Sequence, residues 1–383
     1  MALHFSIDEY AARQAKVCAE LERRKLDGIL LFRQESLYYL TGYDTQGFVM
    51  FQGLYLRADG EMALLTRSAD RLQARITSVI ENIQVWEDRA GADPTDDLRQ
   101  LVSKLGGAGA RIGVEYEAYG LTAARGKALD ARFEGFASLL EASDLVRQLR
   151  LTKSSAELDY VRKSGKLGDQ ARDVALRMCR GGANLGEIYG QMLVPIMTGG
   201  GDPPASNWPL GCGEEALMVR YHTGLGVVGA NDQVTFEYSS AYRHYHTPSM
   251  HVVLTGEPDA RQLVMFDACS LALEACEQTL KPGNTVGDLF ETHARVLREA
   301  GFGHAHLNAC GYTMNANYSP NWMDEPMIYA GQTQVLDIGM VFFMHMILLD
   351  GDTGLSMSLG ETSIVTATGC EPVTHAPRRL TIN

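Results

Sequence analysis

The sequence predicts two folded units, an α/β domain over residues 1–150 and an α+β domain over residues 151–383 built from two similar halves. Three observations carry this. A chain of 383 residues exceeds what one small core serves and suits two units of unequal size. Strand-like and helix-like patterns alternate up to about Leu149, the order of an α/β domain. Beyond that point Arg180-Gly-Gly-Ala-Asn-Leu-Gly-Glu-Ile-Tyr189 recurs as Lys281-Pro-Gly-Asn-Thr-Val-Gly-Asp-Leu-Phe290, each reading as a helix end, a glycine turn and a new helix. Such a pseudo-twofold repeat implies two halves folded face to face around a cleft.

The elements follow in order. Ser6 and Glu9 have the spacing of a capping box, and Tyr10, Val17, Cys18 and Leu21 continue at helical spacing. The apolar run Gly28–Phe32 reads as a strand, followed by Tyr38-Tyr-Leu-Thr-Gly-Tyr43. A polar segment, Arg147–Glu157, marks the domain boundary and opens a long helix at a second capping box, Ser154 to Glu157. Residues 216–256 read as antiparallel strands: Ala216–His222, a glycine-rich turn, Gln233–Ser239, then Tyr242–Leu254.

Composition narrows the function. Hydrophobic residues make up 45% and charged residues 21%, ordinary for a globular chain with a substantial core. With 34 basic against 47 acidic residues the net charge is −13, and no dense Lys/Arg stripe occurs. This argues against nucleic acid and anionic membrane as main partners and says little about a small-molecule substrate, whose field comes from its pocket. The cysteines, seven and scattered, form no CxxC pair, so neither a disulfide framework nor a zinc ribbon is predicted. The first ten residues have no apolar signal core, and no apolar run approaches the ~20 residues of a membrane span. A cytoplasmic location is the expectation.

The chemistry-bearing residues cluster in the second half. Glu237 stands in the apolar run Val234-Thr-Phe-Glu-Tyr238, where a carboxylate is costly without a partner or a task; a salt-bridged strand glutamate is the plain alternative. Tyr242, His244 and His246 share one face if the strand runs through them. His-x-His on a strand can ligate zinc, although histidines near a hairpin end are more common. His222, at the end of its predicted strand, is placed to reach a cleft carboxylate.

Several pieces in series resemble the creatinase/aminopeptidase P family: Tyr39-Leu-Thr-Gly42, Arg150-Leu-Thr-Lys-Ser154, Lys281-Pro-Gly283 and Gly339-Met-Val-Phe342. The resemblance covers essentially the whole chain. It implies a creatinase-like N-terminal α/β domain, a pita-bread C-terminal domain with pseudo-twofold symmetry, and a homodimer with Tyr39 and Tyr43 near the partner's cleft. The peptidases of that family hold two metals with two Asp, one His and two Glu. By the resemblance these positions are here Glu237, Pro248, Tyr312, His345 and Glu361. Proline offers no side-chain donor and tyrosine is a poor ligand for divalent metals, so no metal and no cofactor are expected. Phe236-Glu237, Tyr242-Arg243, Tyr245-His246-Thr-Pro248, Gly311-Tyr312, Pro320-Asn-Trp322 and His375-Ala-Pro-Arg378 are similar to the ectoine hydrolases of the metal-free branch, whereas Asn207–His222 and Thr313-Met-Asn-Ala316 depart from them.

This branch implies hydrolysis of a C–N bond in a small zwitterionic or cationic substrate, an ectoine- or creatine-like amidine or guanidine. Such a carbon already carries cationic nitrogen and needs no Lewis acid, and a carboxylate with aromatic walls suits the cation. Glu237 is then the nucleophile or water-activating base, and His222 protonates the leaving nitrogen. Tyr242, His246, Tyr312, Trp322, His345, Glu361 and Tyr39 complete the expected substrate-binding set. Two readings compete with this one, a metal-dependent Xaa-Pro peptidase and a non-catalytic pita-bread binding module. The second would need the cleft carboxylate and histidine to be gone, and Glu237 and His222 are both present.

Overall fold

A computed structural model describes residues 3–221, 223–375 and 377–383. The chain divides into two compact units, Met1–Arg150 and Leu151–Asn383. The first unit has strands β1 (Gly28–Leu31), β2 (Gly53–Arg57), β3 (Met62–Arg67), β4 (Ile83–Trp86), β5 (Arg111–Val114) and β6 (Ser138–Glu141). They form a mixed sheet in the order β4-β3-β2-β1-β5-β6, with β1, β5 and β6 parallel. Its helices are α1 (Ile7–Arg24), α2 (Gln34–Thr41), α3 (Arg71–Thr77), α4 (Pro94–Lys104), α5 (Ala123–Phe133) and α6 (Ser143–Arg150). Alternation along β1 explains its wholly apolar sequence: Leu30 belongs to one buried cluster, Ile29 and Leu31 to another, so both faces are covered.

The second unit opens with α7 (Ser155–Met178) and α8 (Leu185–Thr198). Strands β7 (Leu210–Cys212), β8 (Asp232–Tyr242) and β9 (Tyr245–Thr255) follow, then α9 (Ala260–Thr279) and α10 (Val286–Glu299). Strands β10 (Ala309–Thr313), β11 (Asp324–Tyr329), β12 (Val341–Asp350), β13 (Leu355–Thr366), β14 (Gly369–Pro372) and β15 (Thr381–Ile382) complete it. The sheet runs β11-β10-β12-β13-β9-β8-β7, with β14 on β13 and β15 on β9.

The sequence repeat is a structural one. Asn184 and Thr285, equivalent in it, are the N-caps of α8 and α10, each accepting a hydrogen bond from the backbone three residues on. Each also forms an isolated bridge to a valine, Val227 in one half and Val335 in the other. Each helix pair is followed in the chain by a long antiparallel hairpin, β8–β9 or β12–β13.

Two local readings need correction. Residues 213–217 form a 3-10 turn, not the start of a strand. The strand read from Tyr242 begins at Tyr245, because Arg243 and His244 are a two-residue hairpin loop with φ of 52° and 65°. Such loops favour Asn and Gly, which can take positive φ cheaply, so Arg-His carries no turn signature. The turn is held instead by the His244 N–H donating to Asp202 (2.9 Å) and by the His244 ring stacked on Tyr318 at 4.1 Å. Tyr242 therefore pairs with Tyr245, while His246 pairs with Ala241 and points to the other face.

Both N-caps read from sequence form, but only one completes its box: Ser6 Oγ accepts from Glu9 N–H while the Glu9 carboxylate binds Arg13, and at Ser154 the exchange with Glu157 is reciprocal. Ser154→Ala leaves the first turn of α7 without its acceptor. We expect a loss of about 1 kcal/mol, measured as a lower urea midpoint at unchanged m-value.

Candidate active site

Strand β8 alternates apolar Val234, Phe236 and Tyr238 with polar Gln233, Thr235, Glu237 and Ser239. Tyr238 points to the helices, its hydroxyl donating to the Gly168 carbonyl of α7. Glu237 thus projects from the opposite, polar face rather than from an apolar core. Registered pairs extend this face across the sheet: Glu237 opposite Met250, Met250 opposite Gly360, Gly360 opposite His345. Directly paired residues share a face, and so do residues two apart. Pro248, Phe343 and Tyr312, which pairs with Phe343, therefore belong to it as well.

The face opens at Glu237 into a small cavity of about 70 Å³, lined also by Asn207, Arg220, Asn321, Trp322 and Met323. A single water needs ~10–15 Å³ by the same kind of measure, so the space admits a small polar ligand. The Glu237 backbone N–H donates to the Pro209 carbonyl at 3.0 Å, which ties the strand to the loop forming one wall. The Glu237 carboxyl itself accepts no hydrogen bond from a described residue. Burial pushes its pKa from the ordinary carboxylate range up to about 7, against the pull of the Arg220 guanidinium.

The aromatic wall is fixed by one bond, Trp322 Nε1–H donating to the Tyr312 hydroxyl at 2.8 Å. Burial holds the Tyr312 phenol far above its usual pKa, and the negative charge of Glu237 adds to this. Tyr312 thus stays protonated, with its O–H able to donate. Burial likewise depresses His345 to about 4, so the ring is neutral near pH 7; its Nδ1 has no hydrogen-bond partner among the described residues.

Other expected site residues lie elsewhere. Glu361, one residue past Gly360, points to the helical side and is bound by Arg378 through two 2.9 Å bonds; Arg378 also grips Glu277 of α9. It is not a pocket residue, because the period-two register turns it away. Tyr242 packs against Tyr160 and lies under Lys163, again on the α7 side. His246 has both ring nitrogens engaged, Nδ1 with the His244 carbonyl at 2.7 Å and Nε2 accepting from Ala205 N–H at 2.9 Å. Burial holds it near pKa 3, so it braces the loop that forms the pocket wall rather than meeting a ligand. Tyr39 is 4% exposed in the core of the first unit, with Arg13 over its ring, and Tyr43 is fully buried. Neither ring is available to a ligand or partner. His222 lies outside the described residues.

Arg220, Asn207 and Asn321 were not picked out from the sequence. Asn321 lies in the Pro320-Asn-Trp322 motif and the other two in the departing stretch Asn207–His222, but as polar loop residues none was named for the site.

The five positions implied for metals can now be tested for fit. Glu237, Pro248, Tyr312 and His345 share the pocket face, and the fifth place on it is Gly360 rather than Glu361. Two of the five have no side-chain donor, and the Tyr312 oxygen already accepts a hydrogen bond. A Cβ on Gly360 would lie 2.8 Å from the Phe343 ring, which fills the space a carboxylate would need. Glu237 and His345 alone do not make a bridged metal pair, and no group of three or more ligating side chains occurs among the described residues. The residues do not fit two metals.

Comparison with known proteins bears on this site. The profile of metallopeptidase family M24 matches residues 159–367, and that of the creatinase/prolidase N-terminal domain matches residues 13–152. An ectoine hydrolase of Halomonas elongata is 26% identical over 99% of this chain and 98% of its own length. An Xaa-Pro dipeptidase of Lactobacillus delbrueckii is 22% identical over 94% and 96%. Among solved structures, the dipeptidase PepE of Mycobacterium ulcerans superposes with a TM-score of 0.86 at 22% identity, covering 99% of each chain.

The raised pKa of Glu237 has a consequence for stability. The folded chain holds this proton more tightly than the unfolded one, so the contribution is complete below pH ~4.5 and is lost as pH rises through 7. Glu237→Gln should therefore unfold later than wild type at pH 8, by ~3 kcal/mol, with the difference closing toward pH 4.5. Urea titrations of both proteins at pH 5 and 8 check this.

Proposed function

The chain belongs to metallopeptidase family M24, with a creatinase/prolidase N-terminal domain ahead of its M24 domain, and from that premise we propose that it hydrolyses a C–N bond in a small amidine or guanidine without a metal. One observation carries the reading. The pocket-facing row presents a single carboxylate, Glu237, with a pKa near neutrality, where the places of the other metal ligands are taken by Pro248, Tyr312, His345 and Gly360. The full-length similarity to an ectoine hydrolase supports it.

Such a pocket suits the chemistry. A neutral peptide carbonyl needs polarising, and without metals this face has little to polarise it with. A cationic amidinium carbon is electrophilic already, and it pairs with Glu237 against the Trp322 wall, which Tyr312 backs. Its positive charge favours the ionised form of Glu237, opposing the effect of burial. Ionised Glu237 then takes a proton from an attacking water whose oxygen bonds the carbon, or attacks the carbon itself to form a covalent intermediate that a water later hydrolyses, freeing the carboxylate. The carbon becomes tetrahedral, the Tyr312 O–H donates to its heteroatoms, and His222 protonates the nitrogen that leaves, giving an amide and an amine. His345, neutral at pH 7, adds no second positive charge to repel the substrate.

Glu237→Gln keeps the shape and removes the base, so turnover should fall at least ~100-fold. In wild type, kcat/KM should rise with pH through an apparent pKa near 7, the limb on which free Glu237 ionises. Assays on ectoine, creatine and Xaa-Pro dipeptides, with metal content measured alongside, decide the matter. We expect well under one divalent ion per chain and activity that survives chelators. Stoichiometric metal, with dipeptidase activity lost on chelation and restored by the ion, would overturn the reading.

A further inference from the structure

We propose that Arg220 is the specificity residue of this pocket, binding a carboxylate on the substrate, so that the enzyme takes zwitterionic amidines and rejects those that are only cations. The inference rests on the amidine-hydrolase reading above and extends it. Arg220 and Glu237 both line the cavity, and the guanidinium lowers the pKa values of Glu237, Tyr312 and His345 alike. Its field therefore covers the whole polar face. Yet it acts on Glu237 through space alone, with no hydrogen bond between them. Opposite charges facing one cavity without closing onto each other leave room for a ligand with the complementary ends.

The guanidinium has an anchor. Arg220 Nη2 contacts the Met323 sulfur at 3.7 Å. Met323 is itself fixed, its N–H donating to Asn321 Oδ1 and its carbonyl accepting from Asn317 Nδ2, both at 3.0 Å. A guanidinium fork has five donors, so it can hold a carboxylate side-on while keeping other contacts. A substrate with its amidinium at Glu237 and its carboxylate at Arg220 satisfies both ends. A cation lacking the carboxylate gains the Glu237 contact but meets Arg220 as a like charge, which is discrimination by repulsion as well as attraction.

The test uses a matched pair: ectoine, a cyclic amidine with a carboxylate, and the same ring without it, 2-methyl-1,4,5,6-tetrahydropyrimidine. Direct binding by calorimetry and kcat/KM are measured for wild type, Arg220→Gln and Arg220→Lys. Wild type should favour the zwitterion ~100-fold, the upper range for gaining a charge-assisted hydrogen bond. Arg220→Gln should lose most of that preference through KM, hold or improve on the cation, and move the acid limb of the pH profile upward. Arg220→Lys should fall between. Equal use of both ligands by wild type, or equal loss on both in Arg220→Gln, overturns this inference and leaves the hydrolase reading standing. If wild type binds neither ligand and turns over no amidine or guanidine, both fail together.

Discussion

The register of four antiparallel strands determines what this site is. Glu237, Met250, Gly360 and His345 lie in one row across β8, β9, β13 and β12. Because side chains alternate with a period of two, slipping any of these strands by one residue would replace the row with its neighbours. Such a slip in β13 would bring Glu361 to the pocket and bury a glycine against the helices. The register is held from the helical side, where Phe342, Met344 and Met346 of β12 and Leu359 of β13 pack into the core with Cys269, Ala272 and Leu273 of α9. Core packing thus selects which residues are available for chemistry on the opposite face.

On that face the charged groups are tuned against one another. Burial alone favours neutral forms, and it keeps His345 uncharged and Tyr312 protonated. Glu237 is the group left near balance, because burial raises its pKa while Arg220 restrains it. A carboxyl that titrates close to neutrality has a readily available ionised form and still has basicity, which is the compromise a general base requires. The same desolvation that creates this reactivity makes the ionised group a cost to the fold, an instance of activity held at the expense of stability.

Aromatic packing and a proline take over the positions that the resemblance implies for metal ligands. Phe343 lies over Gly360, Tyr312 is pinned by Trp322, and Pro248 presents no donor. One substitution does not reverse this, since any side chain at Gly360 meets the Phe343 ring. On the far side of the sheet Glu361 and Glu277 share Arg378. There they secure the C-terminal segment, a structural task.

The sequence by itself determined the two-domain architecture, the repeat, the N-caps Ser6 and Ser154 and the family, because each rests on local periodicity, turn chemistry or ordered motifs. It also singled out Glu237, since a carboxylate flanked by Phe236 and Tyr238 is conspicuous in one dimension. Only the tertiary structure decided which neighbours that carboxylate has. The Arg243–His244 turn carries no Gly or Asn, so the reversal that separates Tyr242 from His246 was invisible until the stack on Tyr318 was seen. The exchange of Glu361 for Gly360 is a matter of one residue in register, which pairing across strands fixes and composition does not. Arg220 acquires meaning only from Glu237 and Met323, seventeen and a hundred and three residues away in the chain. Long-range electrostatics and strand register depend on distances through space, and a linear pattern holds no record of them.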